Sequence, residues 1–113
     1  MLRRDYTALK KITAEISNAL DFMDNSTQEE FLSNELLKHA IAMTAINIGE
    51  LVKNLSSEFR LAYRHIPWKD IAGFRDLAAH KYATLSMSDV YITVTKDFPA
   101  LKADIEKILM SDN

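Results

Sequence analysis

Cysteine is absent from this chain of 113 residues, and that one gap removes several chemistries at once. No disulfide can staple the fold, no thiolate can hold a metal and no thiol can act as nucleophile. A short chain without disulfides fits a reducing compartment, so a cytoplasmic location is expected. Glycine and proline occur only twice each. Strands joined by tight turns consume both, so their scarcity favours long helices with short polar connections. No apolar run approaches the length needed to span a bilayer. The opening Met1-Leu2-Arg3-Arg4-Asp5 leads into a charged amphipathic stretch, so no signal peptide is expected. An excess of basic charge is missing too: 14 Lys and Arg stand against 16 Asp and Glu, a formal net charge of -2. Proteins that coat nucleic acid through many phosphate contacts are usually basic. That class is disfavoured, but a site that grips one or two phosphates is not.

What is present is enough apolar material for one core: 48% of the residues are hydrophobic. The length fits a single domain spanning residues 1–113. Tyr6, Leu9, Ile12, Ile16, Ala19 and Met23 recur at helical spacing and predict a first helix over Arg4 to Met23. Thr27-Gln28-Glu29-Glu30 has the form of a capping box for a short turn anchored by Phe31 and Leu32. Ser33 is the expected cap of the next helix, Asn34 to Leu55. That helix carries an apolar stripe of Leu37, Ile41, Thr44, Ile48, Leu51, Val52 and Leu55. Leu36, Met43 and Ile46 lie on a second side, interrupted by Asn47 and Glu50, as in a helix that is either central in a bundle or touches both a core and a partner. A short helix is expected within Ser56 to Arg64, and a third long one over Pro67 to Ala79. Ala83 to Ser86 reads as a loop, with Ser86 or Ser88 capping the last helix and Asp89 placed against its dipole. Pro99 should kink or split that helix. The expected fold is all-α, an antiparallel bundle of four to five helices.

Three histidines could carry chemistry. His39 reads as a polar shoulder of the second long helix, and His65 as a turn residue before Ile66-Pro67. No pair of histidines stands at ligand spacing on a helix and no carboxylates cluster with them, so no metal or other cofactor is expected. The third long helix is different. At 100° per residue, Ile71, Phe74 and Ala78 form its core stripe, Trp68 and Arg75 one shoulder, and Gly73, Asp76, Leu77 and His80 the opposite side. Asp76 and His80 are four apart, so the carboxylate can orient the imidazole. Gly73 costs helix stability, about 1 kcal/mol against alanine. A close contact would explain it, most simply with a second copy of the chain. Arg75 and His80 point about 140° apart on a regular helix, so a twofold dimer is the expected way to bring them to one cleft. Arginine grips phosphate with its planar fork and histidine moves protons near neutral pH. RNA brings its own nucleophile, the 2′-hydroxyl, so such a pair could cleave it without metal. From chemistry alone a salt-bridged helix end is the simpler reading.

The run Arg75 to Tyr82 also resembles a family motif. Arg75, His80 and Tyr82 match the Arg-x4-His-x-Tyr motif of the HEPN superfamily in its HepT-like toxin branch. Ile48-Gly49-Glu50-Leu51 resembles that branch's Ile-Gly-Glu-Ala, Ile66 to Asp76 its Ile-Pro-Trp-x-x-Ile-x-Gly-x-Arg-Asn, and Asp97 to Leu101 its Asp-Leu-Pro-x-Leu. The resemblance covers nearly the whole chain. It implies a HEPN-like homodimer with the motif at the interface, acting on RNA as a toxin ribonuclease. It implies a partner too, a minimal nucleotidyltransferase antitoxin, and no membrane. Carried over, Arg75 binds the scissile phosphate and His80 is the general acid/base. Asp76 stands where most relatives have asparagine and adds negative charge beside the phosphate; with Glu50 it is a supporting residue, Glu50 through pairing with Arg75. Tyr82 stands where the antitoxin attaches AMP. Lys81 is either a charge that steers RNA or contacts the antitoxin, or an ordinary exposed lysine, and Trp68 and Tyr91 belong to the core or the interface. The competing expectation is a non-catalytic helical binding module for the nucleotidyltransferase.

Overall fold

The computed structural model describes residues 1–111, and every regular element among them is helical. Four long rods carry the fold. They are α1 (Arg3–Met23), α3 (Glu35–Lys53), α5 (Trp68–His80) and a continuous rod made of α6 (Met87–Ile92), a π-helical turn (Thr93–Asp97) and α7 (Phe98–Ser111). Two short helices, α2 (Gln28–Leu32) and α4 (Ser57–Ala62), and a 3-10 turn (Tyr82–Thr84) connect them. This is the expected all-α bundle. No helix among the described residues is long and apolar enough to cross a membrane.

Most predicted caps form. Thr27 Oγ1 accepts from the amide of Glu30 and Glu30 Oε1 accepts from the amide of Thr27, completing the capping box. Glu30 is held below the usual carboxylate range by that backbone hydrogen bond, with the Thr27 side chain second. Ser33 departs from expectation. It ends α2 with a helical backbone and donates its hydroxyl to Glu30 O, while Asn34, in extended conformation, accepts from the amide of Leu37 and caps α3. A cap must be the last non-helical residue, and only Asn34 is. Ser86 caps α6 by accepting from Asp89 N. Pro67 is the N-cap of α5 rather than its first helical residue.

Pro99 does not break the last rod, but a π-helical turn just before it divides the α-helix into α6 and α7. A proline there would clash with the carbonyl four residues back. The chain slips by one residue instead, and the Phe98 amide reaches Thr93 O across a π turn. The rod therefore keeps Val90, Val94, Phe98, Leu101, Ile105 and Ile108 buried along its length.

Helix α1 buries its expected stripe from Leu9 to Met23 and departs from it only at the first position. Tyr6 is 45% exposed and Asp5 only 1%, so the inward stripe is Asp5, Leu9, Ile12, Ile16, Ala19 and Met23. Asp5 is inward because Ser56 satisfies it: the Ser56 amide donates to Oδ1 at 2.7 Å and its hydroxyl to Oδ2 at 2.6 Å. Beside it, Arg4 donates twice to Asn54 O at the end of α3. The start of α1 thus meets the end of α3, and the two run antiparallel, packed along the buried stripe of α3. Helix α5 covers another side of α3, and α7 closes on α1.

Candidate functional site

Helix α5 reaches the site by crossing α3 at its closest point, Gly49. A Cβ on Gly49 would stand 2.1 Å from Arg75 Cβ and 2.7 Å from its Cγ. This is the glycine that close packing requires; Gly73 has nothing within 4 Å of its would-be Cβ in the single chain. The missing side chain at Gly49 lays the stem of Arg75 on the backbone of α3 and its guanidinium beside Glu50.

Arg75 is 23% exposed in its side chain and meets two carboxylates. Its Nε lies 2.5 Å from Glu50 Oε1, and its Nη1 donates to Asp76 Oδ1 at 3.1 Å. The Glu50 contact is ionic rather than directional, since the solvent-shielded Nε meets no acceptor in hydrogen-bond geometry. Nη2 has no protein partner among the described residues, which leaves one edge of the fork open. Lys53 Nζ also donates to Asp76 Oδ1, at 2.9 Å. That bond is the first cause holding the Asp76 carboxyl below its ordinary range, with Arg75 adding to it. The four groups form a compact cluster with two charges of each sign.

The expected pairing of Glu50 with Arg75 is present. The expected orientation of His80 by Asp76 is not: Asp76 is taken by Lys53 and Arg75, and His80 is exposed with no partner among the described residues. Two cations already bonded to the carboxylate outcompete an imidazole one turn away. Arg75 and His80 do not meet within the chain. Asn47 and Glu50 do line one shallow groove, with Lys11, Glu15 and Leu51, and Asn47 Nδ2 donates to Glu15 Oε2. A separate cleft of about 410 Å³ between α5 and the last rod has an apolar lining that includes Ile71, Phe74 and Phe98, away from this cluster.

Past His80 the chain leaves the helix at Lys81 and makes the 3-10 turn, where the Thr84 and Leu85 amides close on Lys81 O and Tyr82 O. The stretch expected to be a plain loop is therefore partly a tight helical turn. It folds half-buried Tyr82 back onto α3, where its hydroxyl lies 3.2 Å from His39 Nδ1 and the rings are 4.7 Å apart. His39, expected to be a bland shoulder residue, is thus part of the surroundings of the motif. A signal was available. His39 and Glu50 are eleven apart, about three turns, so they share a face of α3. An antiparallel α5 that places Arg75 on Glu50 brings the residues after its end to His39. Trp68 is buried and donates Nε1–H to Tyr63 O, and Tyr91 donates its hydroxyl to Ser26 O.

The family described as Ribonuclease HepT-like matches residues 12–108. The chain belongs to the HepT-like ribonuclease family, within the HEPN superfamily. It is 34% identical over 110 residues to "Putative RNase MJ1216" of Methanocaldococcus jannaschii, covering 96% of this chain and 91% of that protein. It is 29% identical over 103 residues to "Probable ribonuclease HepT" of Thermococcus cleftensis, covering 88% of this chain and 94% of the relative. A third relative, "Gamma-glutamylcyclotransferase and putative RNase MJ0434" of Methanocaldococcus jannaschii, is 36% identical over 101 residues; the match covers 89% of this chain but only 46% of that longer protein. No solved structure matches the chain significantly.

Proposed function

We propose that this protein is a metal-independent endoribonuclease and the cytoplasmic toxin of a toxin–antitoxin pair, active as a homodimer with Arg75 and His80 in a cleft shared by two copies. The observation that carries the reading is the state of the two motif residues. Arg75 is fixed at its Nε and Nη1 ends, and among the described residues neither its Nη2 nor the exposed His80 just beyond it has a partner. An anchored guanidinium with a free edge suits one phosphate, and a free imidazole suits proton transfer. The 2′-oxygen attacks the adjacent phosphorus and the bond to the 5′-oxygen breaks. His80 and its twofold mate take the proton from the first oxygen and deliver one to the second, leaving a 2′,3′-cyclic phosphate. Exposed Leu36 and Met43 on α3, with Leu77 on α5, support the dimer: they are large apolar side chains left exposed in the single chain. Tyr82 is the AMP acceptor through which a minimal nucleotidyltransferase antitoxin silences the enzyme, because an adduct there adds charge and bulk two residues from His80.

Purified unmodified protein should cleave RNA to cyclic-phosphate ends, and His80→Ala should abolish both cleavage and growth arrest. No cleavage by the unmodified protein, with arrest unrelieved by His80→Ala, would defeat the toxin reading. Sedimentation should show a dimer, and a monomer across a wide concentration range would defeat the shared cleft. Incubation with the cognate transferase and ATP should add AMP mass at Tyr82. A second reading, a non-catalytic binding module for that transferase, draws on the two carboxylates already holding Arg75; RNA cleavage sensitive to His80 decides against it.

A further inference from the structure

We propose that His39 is a positioning residue for the Tyr82 hydroxyl, presenting it for nucleotidyl transfer; this rests on the reading of Tyr82 as the acceptor. The argument begins at one nitrogen. His39 Nδ1 lies 2.8 Å from the Glu35 carbonyl oxygen, in the turn below it on α3. A carbonyl can only accept, so Nδ1 carries the hydrogen. Tyr82 Oη lies 3.2 Å from that same nitrogen. It is therefore a second acceptor of one shared hydrogen, not a donor to the ring.

Two consequences follow for the phenol. One side of its oxygen is occupied by the Nδ1–H, which fixes where the oxygen sits. Its own hydrogen is not used by His39, so it faces outward with the remaining electron density, toward any incoming group. The tilted ring contact, 39° between planes, sets the direction of the phenol as well. This restraint comes from α3, not from the tyrosine's own segment. Tyr82 stands on a three-residue turn that has no side-chain cap of its own, whereas His39 is tied to a long helix capped by Asn34. Both residues remain reachable: His39 is exposed and Tyr82 half-buried.

The co-reactant is a nucleoside triphosphate held by the transferase. The phenolic oxygen attacks its α-phosphorus and forms the O–P bond. The bond from that phosphorus to the β-bridging oxygen breaks, and pyrophosphate leaves with the electron pair. The phenolic proton passes to a base of the transferase or to water. The ester oxygen left behind is a weaker acceptor, but Nδ1–H keeps the Glu35 carbonyl, so no donor is stranded when the modified ring moves away.

Three proteins separate this role from simple packing: wild type, His39→Phe, which keeps a ring but no donor, and His39→Asn, whose amide N–H reproduces a donor near Nδ1 but loses the ring. Each is incubated with the cognate transferase and labelled ATP, and the rate of label gain at Tyr82 is measured. Folding is checked by far-UV circular dichroism. His39→Phe should be slowed roughly tenfold in kcat with KM little changed, the scale of one lost hydrogen bond, and His39→Asn should recover most of the rate. A wild-type rate for His39→Phe, or equal slowing of both variants, overturns the proposal. Two-bond 1H–15N spectra of the unmodified protein give a check independent of the transferase. The neutral His39 ring should be the Nδ1–H tautomer, and the Nε2–H tautomer overturns the proposal. A wild-type chain that takes no label at Tyr82 overturns the acceptor reading and this inference with it. A labelled wild type with an unaffected His39→Phe overturns only the role of His39.

Discussion

Gly49→Ala tests the crossing on which the Arg75 cluster depends. The added methyl would lie 2.1 Å from Arg75 Cβ, 2.7 Å from Cγ and 3.3 Å from Cα. Carbon atoms rest at roughly 3.5–4.0 Å, so the gap must open by about 1.5 Å. A new rotamer of Arg75 could move Cγ but not Cβ, the nearest atom, or Cα behind it. The helices themselves must part. Two effects oppose each other. Alanine is favoured over glycine in a helix interior by about 1 kcal/mol. Overpacking at a tight contact costs about 1–3 kcal/mol and more where backbone has to move. The contact here is at the severe end, so a net loss of about 1–2 kcal/mol is expected. That corresponds to a fall in Tm of roughly 4–16 °C for a domain near this size, readable by thermal and urea denaturation. A displacement of that size at a reacting group costs on the order of a hundredfold in rate, so RNA cleavage should fall well beyond what the lost stability explains. Gly73→Ala is the control, having nothing within 4 Å of the new methyl. In the monomer it should gain up to about 1 kcal/mol. If Gly49→Ala proves as stable and as active as wild type, α5 does not cross α3 where the structure places it, and the reasoning fails.

Asp5→Ala should cost about 1–3 kcal/mol, since it strands the Ser56 amide and hydroxyl; a change under about 0.5 kcal/mol in urea denaturation would show that water replaces the carboxylate. His80→Ala should leave stability within about 0.5 kcal/mol of wild type, the ring being exposed and without a partner among the described residues, while RNA cleavage is abolished; a large stability change would point to a structural role. Asp76 should titrate below the ordinary aspartate range, chiefly through the Lys53 hydrogen bond. A depressed folded-state value stabilises the fold above the unfolded aspartate's pKa, and that contribution disappears as pH falls through the folded value. Carboxyl 13C NMR should show the midpoint rising in Lys53→Met, and an unmoved midpoint would remove Lys53 as the cause. Asp76→Asn removes one negative charge beside Arg75 and should raise kcat/KM for RNA; a fall would mean that the carboxylate itself is needed to hold the guanidinium.

How far the fold can be read from the sequence depends on which interactions set each feature. The helices are legible because burying one stripe every 3.6 residues dominates their energetics. Helix boundaries and most caps follow from local chemistry within four residues. The failures are non-local. Asp5 displaces Tyr6 from the inner face of α1 only because Ser56, 51 positions away, offers it two donors. The π turn before Pro99 is a way of relieving a clash that the sequence announces without saying how it resolves.

The candidate site shows the same division. Helical geometry already separates Arg75 from His80 and places Glu50 and Asn47 together, because each pair lies on one helix. It says nothing about which residues of α3 face which residues of α5, and three assignments turn on that register. Gly49 rather than Gly73 is the close-packed glycine. Lys53 and not His80 is the partner of Asp76. His39 is not an idle shoulder residue but the neighbour of Tyr82. With the register known, the groups fall in order along one face of α3, with Glu50 and Arg75 at one end and His39 and Tyr82 at the other. The eleven steps from Glu50 to His39 span about 16 Å of helix axis. A nucleotidyl group on Tyr82 therefore begins at the far end of the strip from the arginine. On the proposed reading its first effect should fall on His80, two residues away in sequence, so that silencing would block proton transfer before it displaced phosphate from Arg75.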